Sequence, residues 1–262
     1  MRADLFLTEK GYISSRKKAQ MLIDEGKVLI DGRIVKKASQ PITDGDHTVE
    51  ILNSDEVRFV GRGGLKLEAA LDAFGIDVNS KTALDIGAST GGFTDCLLQR
   101  GANAVYAVDA GVGQLAASLI ANPAVVSIEK MNARNLLPEH IDNTCVDVIV
   151  MDVSFISATY IIPQFPALMK ENGEAVCLVK PQFEVGRAMI GKGGIVRDPA
   201  AHAVAIKRVC TSAIGVGLYP IAIIPSPIQG GDGNREFLVH LVRQKGHNDV
   251  LSDEQILNAT TK

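Results

Sequence analysis

The stretch Thr82–Leu98 constrains the fold of this chain most strongly, because it has the pattern of a strand, a tight glycine loop and a helix. A short apolar run leads into Gly87 and the pair Gly91-Gly92, and an apolar helical repeat begins at Phe93. Glycines in such a loop allow the backbone to come close to a ligand. The pattern is typical of a nucleotide-type binding site in an α/β fold.

The spacing of this loop indicates which ligand it holds. It is Gly-x-x-x-Gly-Gly and not the Gly-x-Gly-x-x-Gly of a dinucleotide site, and Asp85 at the strand end would repel a pyrophosphate. A second strand, Ala104–Asp109, ends where such folds place the acid that accepts ribose hydroxyls. We therefore expect a cationic nucleoside, S-adenosyl-L-methionine. The alternative is that the glycines only make a turn and Asp109 only caps the helix after Gly111. The residues expected at the cofactor are Asp85, Gly87, Ala88, Ser89, Gly91, Gly92, Phe93, Asp109, Asn132 and Asp152.

Composition bounds the class of protein. The chain has 262 residues, 46% hydrophobic and 22% charged, which suits one sizeable globular domain plus a small one. Met1–Ile13 carries charges where a signal peptide needs an apolar core, and no apolar run reaches the roughly 18 residues of a membrane span. We expect a cytoplasmic protein with no membrane contact. The cysteines have no Cys-x-x-Cys pair and suggest reduced core residues, not a metal site or disulfides: Cys96, Cys145, Cys177 and Cys210.

The N-terminal region has the features of a small basic module. Residues 1–37 contain nine Lys or Arg and five Asp or Glu, although the whole chain has a net charge of −3. Two helix patterns precede an Asp-Gly hairpin, and Ser15–Gly32 carries the string Ser-Arg-x-x-Ala-x-x-Leu-Ile-x-x-Gly-x-Val-x-Ile-Asp-Gly, which resembles the S4 RNA-binding domain. A solvated helix face is the alternative for the basic run Arg16–Lys18, but the order of elements favours RNA contact.

The rest of the chain predicts a larger α/β domain. We expect an S4-like domain over 1–56, a linker over 57–64, a catalytic domain over 65–245 and a polar tail with at most one loose helix over 246–262. Strands alternating with helices predict a Rossmann-like seven-stranded class I methyltransferase sheet, parallel and covered on both faces. Its ligand crevice should lie at the carboxyl ends of the strands. Pro181–Asp198 is an irregular glycine-rich insertion that suggests a substrate-binding loop.

Several long strings in the chain resemble the TlyA family, whose members are named haemolysins but act as ribosomal RNA 2'-O-methyltransferases, with an S4 domain joined to an FtsJ-like domain. The strings are Arg62–Leu67, Leu84–Asp95, Asp152–Ser157, Leu178–Glu184 and Gly233–Leu238. The resemblance implies a catalytic tetrad of Lys66, Asp152, Lys180 and Glu236, with Lys180 as the central lysine. It also implies ribosomal RNA or a ribosomal subunit as substrate, with the cytidine ribose as the methylated group, and no metal. The cations expected to contact RNA are Arg2, Arg16, Lys17, Lys18, Lys27, Arg33, Arg62, Arg187, Lys192 and Arg197.

The tetrad suits the chemistry that this resemblance implies. Methyl transfer to a ribose hydroxyl is an in-line displacement that needs the hydroxyl aligned and its proton removed. A lysine can remove that proton only if it is partly deprotonated, which a second cation such as Lys66 would favour. Two other functions compete with this one. The first is a pore-forming cytolysin, which would leave the glycine loop unexplained, and the second is a non-catalytic RNA-binding or ribosome-binding factor.

Overall fold

The computed structural model describes residues 1–24, 26–43, 45–51, 58–230, 233–243 and 250–261. The chain divides into two compact units, Met1–Val60 and Gly61–Lys262. Residues 52–57 of the expected boundary region and residues 246–249 of the expected tail lie outside the described residues. The finer domain limits stay predictions.

The first unit is a small α+β module. Its helices and strands are α1 (Ala3–Glu9), α2 (Arg16–Asp24), β1 (Val28–Ile30), β2 (Arg33–Ile34) and β3 (Val49–Ile51). The strands that the structure describes here form an antiparallel sheet in the order β2-β1-β3. Asp31 and Gly32 both adopt positive φ, as a tight hairpin turn requires. Apolar residues of both helices and of β1 close a core beneath the sheet, and Leu7, Leu22 and Val28 are completely buried.

The second unit is an α/β domain. Its helices are α3 (Gly63–Phe74), α4 (Gly92–Gln99), α5 (Ala117–Ile120), α6 (Phe165–Leu168), α7 (Pro181–Glu184), α8 (Pro199–Ile214) and α9 (Asp253–Thr261). Its strands are β4 (Thr82–Ile86), β5 (Ala104–Val108), β6 (Val125–Ile128), β7 (Val146–Met151), β8 (Met169–Val179), β9 (Tyr219–Pro225) and β10 (Phe237–Val242). Helices cover both faces of the sheet, whose central strands are almost entirely buried and apolar.

The strand order places the ligand crevice. Within the described part of this unit, seven strands run in the order β6-β5-β4-β7-β8-β10-β9. The chain moves outward from β4 to β5 and β6, and then returns to the other side of β4 with β7. This reversal is a topological switch point, where open α/β sheets bind ligands outside the carboxyl ends of their strands. The glycine loop follows β4 and Asp152 follows β7, so both lie at this point.

The expectation of an all-parallel sheet is wrong at one edge. Strand β10 pairs antiparallel with both β8 and β9, with Phe237 opposite Val179 and Val242 opposite Glu174. An alternating apolar pattern identifies a strand but carries no information about its direction. The reversal matters for function, because an antiparallel strand begins at the edge of the sheet where its neighbour ends.

Three further expectations are corrected. Cys145 is exposed, unlike the other three cysteines, because it lies in the turn before β7 and not in the core. The insertion 181–198 is not wholly irregular, since it contains α7 and two short 3-10 turns. The helix near the C-terminus is not loose: Ile256 of α9 is 3% exposed and joins the main core, and Arg235 donates a hydrogen bond to the Thr260 carbonyl.

Candidate active site at the switch point

The glycine loop after β4 has the tight backbone that the sequence predicts. Gly87 adopts φ +86, and a side chain there would overlap the carbonyl group of Asp152 on the neighbouring strand. Gly91 adopts φ +97 immediately before α4, and a side chain there would overlap Leu119. Both positions therefore require glycine for conformation and for space. The loop consequently passes close to the end of β7 and leaves its outer side open.

Asp109 organises this loop through its carboxylate. Oδ2 accepts a hydrogen bond from the backbone N–H of Ser89 at 2.8 Å, and Oδ1 accepts one from the N–H of Gly111 at 2.6 Å. The alternative that Asp109 merely caps a helix does not fit, because α5 begins at Ala117 and has Ala116 at its N-cap. Each carboxylate oxygen has a further lone pair, so the group can still accept from a ligand.

Two adjoining cavities lie over the loop. The larger has a volume of about 510 Å³ and is lined by residues that follow β4, β5 and β7, including Gly87, Ser89, Asp109, Asn132, Asp152 and Phe155. The smaller has a volume of about 220 Å³ and is lined by the loop together with Arg62, Asp152, Ser154 and Lys180. Of the expected cofactor residues, Ala88, Gly92 and Phe93 line only the smaller of the two cavities, Gly87, Ser89 and Asp152 line both, and Gly91 lines neither. The larger cavity falls within the size range of small-molecule sites.

Asp85 lies beneath the loop and not on the wall of either cavity. Its side chain is completely buried, and Oδ2 accepts a hydrogen bond from the Thr94 hydroxyl at 2.6 Å. Oδ1 is buried with no hydrogen-bond partner among the described residues. Burial raises the pKa of this carboxyl to about 7, because desolvation disfavours the ionised form. Asp85 is therefore poised to change its protonation near neutral pH.

The four residues of the expected tetrad meet in a continuous chain of alternating charge. Lys180 Nζ lies 2.6 Å from Asp152 Oδ1, Lys66 Nζ lies 4.0 Å from Asp152 Oδ2, and Lys66 Nζ donates to Glu236 Oε2 at 2.5 Å. The two lysines and Glu236 are buried, whereas the Asp152 side chain is 20% exposed. Asp152 therefore lies between the two lysines. The direct repulsion expected between Lys66 and Lys180 is offset by a shared carboxylate.

The folding of four distant segments brings this chain together. Lys180 follows β8 and Asp152 follows the parallel neighbour β7, so both lie at the same edge of the sheet. Glu236 immediately precedes β10, and it reaches this edge only because β10 is antiparallel to β8. Lys66 lies in the first turn of α3, which begins at Gly63.

Two residues at this site carried no role in the sequence analysis. Lys180 Nζ donates a hydrogen bond to Ser154 Oγ at 2.8 Å, so the amine can already contact a hydroxyl group. Phe155 adopts φ +64, which is unusual for a bulky residue, and its side chain is 93% exposed. Its ring lies 5.4 Å from the ring of Phe183. An aromatic residue at the end of a strand is usually buried in the core, so the sequence did not indicate that Phe155 would be exposed.

The cations expected to contact RNA fall into two groups. In the first unit, Arg2 donates to both oxygens of the buried Asp4 carboxylate, Arg16 donates to Oδ2 of the same group, and Lys18 donates to the Phe59 carbonyl. Arg2, Arg16, Lys17 and Arg33 are exposed, and Lys18 and Lys27 are partly exposed. In the second unit, the cations are all exposed: Arg62, Arg187, Lys192 and Arg197. Arg62 also lines the smaller cavity.

Neither a membrane helix nor a metal cluster is found in the part of the chain that the structure describes. None of the helices in those ranges is long and apolar enough to cross a membrane. No group of three or more His, Cys, Asp or Glu side chains in the same ranges could hold a metal ion.

Together, the strand order, the antiparallel strand near the edge and the crevice over the glycine loop define a Rossmann-like methyltransferase domain carried with an S4-type module. The FtsJ-like methyltransferase family model matches residues 59–243, and the S4 domain model matches residues 1–47. The chain belongs to the FtsJ-like methyltransferase family and, within it, to the TlyA family.

Three similar proteins support this assignment. The 16S/23S rRNA (cytidine-2'-O)-methyltransferase TlyA of Mycobacterium tuberculosis is 42% identical over 243 residues, which is 93% of this chain and 90% of that protein. Hemolysin A of Brachyspira hyodysenteriae is 42% identical over 242 residues, covering 92% of this chain and 100% of that protein. A solved structure of a hemolysin-named protein from Streptococcus thermophilus has a TM-score of 0.78 at 37% identity, covering 100% of this chain and 94% of that one.

Proposed function

We propose that this protein is an S-adenosyl-L-methionine-dependent 2'-O-methyltransferase that acts on cytidine ribose in ribosomal RNA. The observation that carries the proposal is the charged chain Lys180–Asp152–Lys66–Glu236 beside the glycine-loop crevice. The similarity to the rRNA (cytidine-2'-O)-methyltransferase of M. tuberculosis supports the substrate class. We also infer a cytoplasmic location from the proposed ribosomal RNA substrate.

The residues around the larger cavity fit S-adenosyl-L-methionine. Asp109 has free acceptor capacity for the ribose hydroxyls, and the loop Gly87–Ser89 offers close backbone approach. Asn132 and Asp152 face the same cavity, and the acidic residues suit a cationic ligand. When bound, the cofactor supplies the methyl group on a sulfonium centre.

Lys180 is the residue that we propose as proton acceptor. Its amine lines the smaller cavity and donates to the hydroxyl of Ser154, so a hydroxyl group can come within hydrogen-bond distance of it. Once deprotonated, the same amine would accept the proton of a ribose 2'-hydroxyl. Asp152 pairs with the amine, and Lys66 pairs with both Asp152 and Glu236. These residues align the hydroxyl for in-line displacement and take its proton as the new bond forms.

Phe155 provides a surface for the target nucleotide. An exposed aromatic ring beside a catalytic lysine is costly in water but well suited to stacking on a base, and single-stranded RNA is commonly bound in this way. The exposed cations of both units would contribute phosphate contacts, which strengthen binding without selecting a sequence.

The proposal is tested by methyl transfer. Bacterial ribosomal RNA, both deproteinised and in assembled subunits, is incubated with the protein and tritiated S-adenosyl-L-methionine. Incorporation into RNA that saturates near one methyl group per molecule supports the proposal. Cofactor binding without any incorporation in either substrate would instead favour a non-catalytic RNA-binding factor. Lysis of erythrocytes in the absence of transfer would favour a cytolysin.

A further inference from the structure

The glycine-rich part of the insertion, residues 186–197, contacts the rest of the second unit at Ile190, which packs against the main core, and at its C-terminal end, where Val196 is buried. Its first turn, Arg187–Met189, is exposed, as is its second turn, Lys192–Gly194. Gly193 and Gly194 both adopt positive φ, so the chain reverses sharply there. The exposed residues include the cations Arg187 and Lys192. The positions of these cations, and of Lys192 above all, therefore depend in part on how the C-terminal end of the loop is held.

Asn234 holds that end. Its side chain is almost completely buried, with 1% of the residue exposed. Oδ1 accepts a hydrogen bond from the backbone N–H of Val196 at 2.9 Å, and Nδ2 donates one to the Gly194 carbonyl at 3.1 Å. One amide thus satisfies two backbone groups of the loop, as the backbone of a neighbouring strand would.

His202 on α8 also holds the end of the loop, through the carbonyl of Val196. Its Nε2 lies 2.9 Å from the Val196 carbonyl, so the ring donates there, and burial lowers the pKa of His202 and favours its neutral form. The ring packs against Phe237, the first residue of β10, at 5.4 Å. Val196 itself is 2% exposed. The loop end is therefore clamped to the segment that carries Glu236.

The clamp also reaches the Glu236 side chain. The Asn234 backbone carbonyl accepts a hydrogen bond from the N–H of Gly230 at 2.9 Å. A Cβ at Gly230 would lie 2.5 Å from Glu236 Oε1, so this carboxylate rests directly against the Gly230 backbone. Asn234 thus bonds the cationic loop through its side chain and, through its main chain, Gly230, against which the Glu236 carboxylate rests.

We propose that Asn234 is a positioning residue that sets the cationic loop 186–197 against the active site, so that the phosphates of the RNA substrate meet Arg187 and Lys192 at a fixed distance from Glu236. The role of the loop in RNA binding rests on the proposed function. The attachment by Asn234 does not, because it follows from the contacts of a buried amide.

The test compares Asn234→Ala with a matched control, His240→Ala. His240 is 5% exposed on β10, the strand that follows Asn234, and binds Glu174, but it lies away from the carboxyl ends where the loop attaches. Limited trypsin digestion followed by mass spectrometry measures cleavage after Arg187 and Lys192. Because two buried hydrogen bonds are lost, we expect cleavage there to accelerate roughly tenfold or more in Asn234→Ala and to stay near the wild-type rate in His240→Ala. Equal cleavage in wild type and Asn234→Ala would overturn the attachment.

RNA binding then tests the functional half of the proposal. The Kd for deproteinised bacterial ribosomal RNA is measured for wild type, for Asn234→Ala, for the pair Arg187→Ala with Lys192→Ala, and for all three changes together. If Asn234 acts through the loop, the loop substitutions weaken binding several-fold in the wild type and much less in the Asn234→Ala background. Cofactor affinity should change less than about twofold, since hydrogen bonds at the cofactor loop are untouched. If the changes in RNA Kd from Asn234→Ala and from the loop substitutions were fully additive, the proposal that Asn234 acts through the loop would be overturned. A wild type that binds RNA yet transfers no methyl group would contradict the proposed function and leave the role of Asn234 intact.

Discussion

The ammonium group of Lys66 donates a 2.5 Å hydrogen bond to the carboxylate of Glu236, although 170 residues separate the two in the sequence. Both side chains are buried, at 9% and 3% exposure. Only one further carboxylate, that of Asp152 at 4.0 Å, is recorded as an ion-pair partner of Lys66 among the described residues. This pair joins the first helix of the second unit to its antiparallel strand and closes the charged chain.

Because Lys66 and Glu236 form a buried ion pair, we expect substitutions in the pair to affect stability and activity differently. Glu236→Ala leaves the buried Lys66 ammonium with a single, more distant partner and should lower the free energy of unfolding by about 3–5 kcal/mol. The double variant Lys66→Met with Glu236→Leu removes both charges and should recover most of that loss while remaining inactive. Urea unfolding and methyl transfer measured on the same preparations check this. A double variant as unstable as the single one would show that the pair does not act as a unit.

Asp109 should be important for cofactor affinity. Asp109→Ala removes the acceptor of Ser89 and Gly111 N–H groups as well as the proposed ribose contact, so we expect weaker S-adenosyl-L-methionine binding by about 1.5–3 kcal/mol. Isothermal titration calorimetry measures the change. Asp142→Ala, at an acidic residue away from both cavities, serves as control. Unchanged affinity in Asp109→Ala would remove this residue from the cofactor site.

Asp85 should make stability fall as pH rises. Burial raises the pKa of this carboxyl in the folded state from 3.8 to about 7. The folded state therefore holds its proton over a range where the unfolded state has lost it, and stability decreases between about pH 4 and pH 7. Ionisation of Asp85 lowers the free energy of unfolding by about 4 kcal/mol in total, and this loss is complete above pH 7.

The isosteric variant Asp85→Asn removes this ionisation. Its stability relative to wild type should be clearly greater at pH 8 than at pH 4.5, as measured by urea unfolding at both values. A stability difference that is the same at the two pH values would mean that Asp85 ionises normally in the folded protein.

Phe155 should affect RNA more than cofactor. Phe155→Ala removes an exposed ring that makes little contribution to the core, so folding should be preserved while the RNA KM rises or kcat falls by about tenfold, as expected from losing one stacked base. Phe155→Tyr keeps the ring and should retain activity. Steady-state kinetics with ribosomal RNA measure both variants. A fully active Phe155→Ala would assign the exposed ring another role.

The sequence predicted which residues lie at the site better than it predicted how the fold brings them together. Asp85, Asp109, Asp152 and Lys180 could be placed at strand ends because apolar runs end there. The direction of β10 could not be predicted, since alternation is the same for both directions, yet that direction alone brings Glu236 to the site. The backbone conformation at Phe155 could not be predicted either. Its positive φ turns the ring into solvent, and nothing in the identity of the residue indicates that conformation.

The role of Lys180 as proton acceptor separates two kinds of variant. Lys180→Met keeps much of the stem but loses the amine, and should lower turnover by at least about 10²-fold with little change in binding. Lys180→Arg keeps the positive charge, but its guanidinium stays protonated and cannot accept a proton, so this variant should also lose activity. Single-turnover assays at saturating RNA measure both. An active arginine variant would mean that the cation only positions the ribose and that another group takes the proton.

The most direct measurement of the central claim is the identity of the methylated nucleoside. Ribosomal RNA treated with the protein and deuterated-methyl S-adenosyl-L-methionine is digested to nucleosides and analysed by mass spectrometry, with the Lys180→Met variant in parallel. We predict labelled 2'-O-methylcytidine from the wild type and almost none from the variant. Label on a base, or equal label from both proteins, would contradict ribose methylation at this site.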